Sequence, residues 1–189
     1  MPKLDTRRLA RGTALQVLYA CDLNPETVEQ FVFEDSSTAV LNMNAYTLAY
    51  LTLRAYYEQG EDAINEDYLV DSEPGENVLL DLESQKLAHA LVRGVRANLE
   101  KLDTVIQRFA GDWPLDQMAI IDRNILRIAI YESGIVGTTP LAVAINEAIE
   151  LAKIFGSDSS PAFVNGVLGT LAKQGKEALS GLAEVREDP

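Results

Sequence analysis

The chain has 189 residues, 47% apolar and 24% charged, with a formal net charge of −13. That length suits one domain, or one domain with a large insertion, able to bury a core without covalent staples. One cysteine (Cys21) excludes an intrachain disulfide and one histidine (His89) excludes two-His chemistry, while the short apolar runs exclude a bilayer-spanning helix.

The apolar spacing is helical along almost the whole chain. Ala14, Val17, Leu18 and Cys21 fall at i, i+3, i+4 and i+7, one face of a first helix that Asn24-Pro25 ends. Residues 24–38 read as irregular, with Phe31-Val32-Phe33 as a short extended piece. Residues 39–59, rich in Ala, Leu and Tyr, predict a second helix. Residues 60–77, acidic and broken by two glycines and a proline, predict an exposed loop.

A long helical stretch follows from about Leu79 to Phe109. Leu87, Leu91, Val95, Leu99, Leu102, Ile106 and Phe109 recur every three or four residues, and Gly111 stops the pattern. Met118, Ile121, Ile125 and Ile128 mark a fourth helix ending near Gly134 or Gly137. Thr139 is placed to cap a fifth, with Pro140 at its first position and Ile145, Ala148, Ile149 and Ala152 as its buried stripe. Gly156 reads as its stop, and Ser160-Pro161 starts a last helix with Phe163, Val164, Val167, Leu168 and Leu171 inward. Strand signals are nearly absent. The expected fold class is all-α, with around seven helices.

No catalytic constellation emerges. Asp112, Asp116 and Asp122 match no EF-hand spacing and read as helix-start and surface acids. His89, flanked by alanines, reads as packing or surface, and Cys21, on the apolar stripe, as a buried thiol. No metal or cofactor is expected.

The charge is uneven. Residues 1–21 carry +3, residues 22–83 carry −14 and residues 84–189 carry −2. A basic start on an acidic chain points to a basic arm with an anionic partner. Arg7 and Arg11 stand one helical turn apart, able to face one strand of phosphates, and Arg8 shares a helix face with Tyr19. Phe109 and Phe163 lie at helix ends, where an exposed ring can accept an unstacked base. Periodicity alone favours the core for Phe163.

At these residues the chain resembles a known family. IDRNILRIAIYE (121–132) and PLAVAINEAIELAKIFGSDSSPAFVNGVL (140–168) are similar to the signature of the NusB family, and RRLARGTALQVLYA (7–20) to its arginine-rich first helix. The resemblance implies a helical bundle of two subdomains, with residues 1–175 as one RNA-binding domain, 24–85 as an acidic insertion and 176–189 as a tail. It implies a non-enzymatic cytoplasmic factor in bacterial transcription antitermination. That factor binds single-stranded boxA RNA of rRNA transcripts together with the ribosomal protein NusE, within an RNA polymerase complex, as a monomer or a homodimer. Carried onto this sequence, the implied RNA surface comprises Lys3, Arg7, Arg8, Arg11, Phe109, Asp158 and Phe163, and the implied NusE surface Tyr19 and Asp122. Leu9 interrupts the arginine run and the insertion is strongly acidic. Both keep open a second reading, a protein-interaction module that has lost RNA binding. A third, the N-terminal NusB-like domain of an rRNA methyltransferase, would need a catalytic domain beyond FVNGVL.

Overall fold

The structure, a computed structural model, describes residues 6–23 and 82–174. The expected second helix at 39–59, the irregular and acidic stretches before and after it, most of the 24–85 insertion, Lys3 and the 176–189 tail lie outside the described residues. Among the described residues there are six α-helices and no strand: α1 (Thr6–Leu23), α2 (Leu82–Ala97), α3 (Leu99–Phe109), α4 (Ile120–Ile130), α5 (Leu141–Phe155) and α6 (Ser160–Lys173). The chain divides into two compact units, Met1–Val92 and Arg93–Pro189.

In the first unit, α1 buries Leu9, Ala10, Ala14, Leu15, Val17, Leu18 and Cys21. The Ser84 hydroxyl donates to the Thr6 carbonyl at 3.2 Å, tying the first turn of α2 to that of α1.

The long helix expected over 79–109 is two helices. They part at Asn98, whose φ of −123° is not helical. Its backbone N–H turns to the Val95 carbonyl at 3.1 Å, while its side-chain amide donates to the Gly94 carbonyl at 2.8 Å. A side chain that competes for a backbone carbonyl offers the chain an alternative to the helix ladder. The buried stripe continues across the break. Ala88, Leu91, Val92 and Val95 form it on α2, and Leu102, Val105, Ile106 and Phe109 on α3.

Within the second unit, α4 is the central element. It packs against α3, α5 and α6, and α5 packs along α6. Every residue from Asn124 to Ile130 is buried, which is what a helix surrounded by others requires. Arg127 is among them. Each of its guanidinium nitrogens donates, two of them to Asp103 on α3 and one to Asn124 Oδ1 at 3.0 Å.

One expected start and two stops differ in detail. α4 runs on into a single π-helical turn, Tyr131–Val136, before Gly137. Thr139 does not cap α5. Its hydroxyl donates to the buried Glu132 carboxylate at 3.1 Å, and α5 begins after Pro140. Gly156 ends α5 at φ −92°, so the left-handed conformation usual for a glycine stop is not the reason for it. A Cβ there would collide with the Ser160 side chain and crowd the Ala152 carbonyl. The glycine is needed for close approach.

Candidate nucleic-acid interface

In the first unit the basic residues sit on α1. Arg7 is exposed, Arg8 half-buried and Arg11 buried at 4% exposure. Arg7 and Arg11 do share a turn spacing, but Arg11 lies among Leu9, Ala10, Ala14 and Leu15, which are also buried. The α1 arginines that reach solvent are therefore Arg7 and Arg8. Tyr19 is half-buried on the same helix.

The other expected site residues belong to the second unit. Phe109 is buried, with the exposed Arg108 guanidinium 5.3 Å from its ring centroid. It completes the α3 stripe with Leu102, Val105 and Ile106, so its ring is a packing group here and not an open stacking face. Asp158 is exposed in the α5–α6 loop, and Phe163, in the first turn of α6, is half-buried. Val164 and Val167 beside it are buried, so α6 turns its aliphatic side inward and leaves part of Phe163 at the surface.

The loop holding Asp158 is well braced. Ser160 Oγ accepts a hydrogen bond from the Ser157 backbone N–H at 2.9 Å, and the Ser157 hydroxyl lies 3.0 Å from Ser159 Oγ and 3.1 Å from Ser160 Oγ. Ser160 is also hydrogen-bonded to Asp122, in the first turn of α4. Asp122 was expected on a partner-facing surface, yet it is only 7% exposed. Among the described residues its Oδ1 has no hydrogen-bond partner. Burial pushes its carboxyl above the usual value, and the Ser160 hydrogen bond offsets part of that rise.

One aromatic was missed in the sequence. Trp113, in the turn between α3 and α4, is exposed and lies against Phe163, with ring centroids 6.0 Å apart and planes inclined at 55°. It stands outside every apolar stripe, and no spacing pairs positions 113 and 163. Asp112 and Asp116 beside it are exposed, as surface acids should be. Among the described residues, no group of three or more His, Cys, Asp and Glu side chains is placed to hold a metal ion. No helix there is long and apolar enough to cross a membrane.

The fold and these surfaces define an all-helical protein of two units, with arginines on the first helix and an edge of aromatic and acidic side chains at the start of the last. The profile of the NusB family matches residues 43–173, and the chain belongs to that family. It is 34% identical to the transcription antitermination protein NusB of Bdellovibrio bacteriovorus, over 90% of this chain and 98% of that one. It is 31% identical to the protein of that name from Thermodesulfovibrio yellowstonii, over 89% and 92%. Among solved structures, T. maritima NusB superposes with a TM-score of 0.59 at 28% identity, covering 93% of this chain and 97% of the other. A structure of the antitermination factors NusB and NusE in complex with dsRNA matches with a TM-score of 0.56 at 20% identity, a likeness of fold.

Proposed function

We propose that this protein is an RNA-binding transcription antitermination factor. In this reading it takes boxA-like single-stranded RNA of rRNA transcripts together with NusE, and so supports read-through by RNA polymerase and rRNA maturation. The carrying observation is the near end-to-end relationship to proteins named for that activity, 90% of this chain against 98% of the Bdellovibrio relative. The exposure of side chains within each unit is compatible with it. Arg7 and Arg8 can neutralise phosphates, Phe163 offers part of a ring, and the exposed Asp158 carboxylate can accept hydrogen bonds from base amino groups. The role is adaptor-like, not enzymatic. Lys3 joins the basic group by sequence. Arg11, Phe109 and Asp122, being buried, act by holding the elements that carry the contacts. Tyr19, half-buried on α1, is assigned to the NusE surface.

The burial of Arg11 and Phe109 also favours a second reading, an interaction module without RNA affinity. A titration of labelled boxA-like RNA with the chain, alone and with NusE, at two salt concentrations separates the two. Salt-sensitive binding supports the first. NusE binding with no RNA binding under either condition supports the second.

A further inference from the structure

Trp113 is the only tryptophan of the chain, and it is 54% exposed. A large ring left in water gains little from burial, so its place in the fold does not explain it. The turn around it is nevertheless firmly held. The Gln107 side chain spans it, donating from Nε2 to the Trp113 carbonyl at 3.2 Å and accepting at Oε1 from the Leu115 N–H at 3.0 Å. Pro114 between them is extended at φ −64°, ψ 141°. Arg123 Nη1 donates to the Leu115 carbonyl at 3.3 Å, fastening the turn to α4. Gln107, Pro114 and Arg123 thus fix the backbone on both sides of an indole that stays mostly in water.

The indole lies against the ring of Phe163. The two rings come from segments 50 residues apart in the chain, and their tilted arrangement forms a step, with Phe163 the inner ring and Trp113 the outer one. The exposed Asp158 belongs to the braced loop that leads into the helix of Phe163.

We propose that Trp113 is the outer stacking platform for an unpaired nucleobase of single-stranded RNA, with Phe163 as the inner wall of the same step. This rests on the RNA-binding reading above and extends it to a residue that neither sequence spacing nor the family resemblance singled out. An indole stacks on any base because every base has a π-face, and a ring carried on a held turn is presented in one place for it. Protein partners also favour tryptophan, but the carboxylate that follows in the neighbouring loop suits a base amino group.

Because the chain has one tryptophan, its emission reports this position directly. The full-length protein is titrated with a short boxA-like single-stranded RNA, following indole emission and, in parallel, the anisotropy of the labelled RNA. Measurements are made with and without NusE. The expected result is quenching that follows the same isotherm as the anisotropy. Trp113→Ala weakens binding about tenfold or more, Trp113→Phe retains most of it, and both variants melt near the wild-type temperature. A rise in anisotropy with unchanged emission and normal Trp113→Ala affinity overturns the assignment and leaves the RNA reading standing. Emission that responds to NusE but not to RNA also overturns it, in favour of a protein contact. No anisotropy change with or without NusE overturns both readings.

Discussion

Arg127 on α4 and Asp103 on α3 form a two-pronged ion pair, Nε to Oδ1 at 2.7 Å and Nη2 to Oδ2 at 2.8 Å. The arginine side chain is 6% exposed and the aspartate 23%. Parallel bonds of this kind are directional and fix the angle between two helices as well as their distance. Removing Asp103 would leave a buried guanidinium with only part of its bonding satisfied. Asp103→Ala is therefore expected to cost about 3 kcal/mol, the low end for a broken buried pair, since Asp103 retains some access to water. Arg127→Lys is expected to be nearly as damaging, because an ammonium cannot make the parallel bonds. Urea denaturation of both variants checks this, and a change under about 1 kcal/mol would show the pair to be incidental.

Gly94 on α2 lies against the ring of Tyr131. A Cβ at position 94 would overlap the tyrosine's Cζ and hydroxyl. Glycine inside a helix ordinarily costs up to about 1 kcal/mol relative to alanine. Here the sign reverses, and Gly94→Ala is expected to destabilise by about 1–3 kcal/mol through overpacking. Tyr131→Ala made alone should also destabilise. The double variant should be more stable than the sum of the two losses, by an amount a double-mutant cycle reads directly. Strict additivity would mean that the ring moves aside at no cost.

Asp122 predicts a pH dependence. Its folded-state carboxyl is held above the ordinary value of 3.8, first by burial, with the Ser160 hydrogen bond opposing. The folded state then binds the proton more tightly than the unfolded chain does, so this group's contribution to stability becomes less favourable as pH rises. Its cost is fully present above the raised folded value and vanishes as pH falls to about 3.8. Asp122→Asn removes the titration and keeps a side-chain oxygen for Ser160. The stability of wild type relative to Asp122→Asn should therefore improve on acidification from neutral pH. A difference that stays flat, or changes in the opposite direction, would contradict the assigned cause.

The two accessible arginines of α1 should govern the salt dependence of RNA binding. Each phosphate contact on a single strand contributes about −0.7 to the slope of log K against log salt. Arg7→Ala/Arg8→Ala should make that slope shallower by about 1.4 in a protein that still folds. Arg11→Ala, at a buried position, should lower the melting temperature. A double variant that binds with an unchanged slope would remove α1 from the interface.

The helical class, the stripes of α1, α3 and α6 and the family relationship are all legible in the sequence, because local periodicity and a long, specific motif carry them. Periodicity placed Phe109 on the same stripe as Leu102 and Ile106, and the structure buries it there. Its place at a helix end and the family resemblance both suggest an open ring instead. For Phe163 the same periodicity says core, yet the side chain is only half-buried, since the helical phase of α6 puts it at the edge of the stripe that Val164, Val167, Leu168 and Leu171 fill. What the tertiary structure decided was every relationship between residues distant in the chain. These include Asp122 facing Ser160, Arg127 engaging Asp103, Tyr131 demanding a glycine at 94, and Trp113 meeting Phe163. Helical spacing records which side of one helix is buried, but it holds no information on which other helix lies there. Pairing across the core is set by packing of the assembled elements, where a single Cβ or a single carboxylate decides what fits.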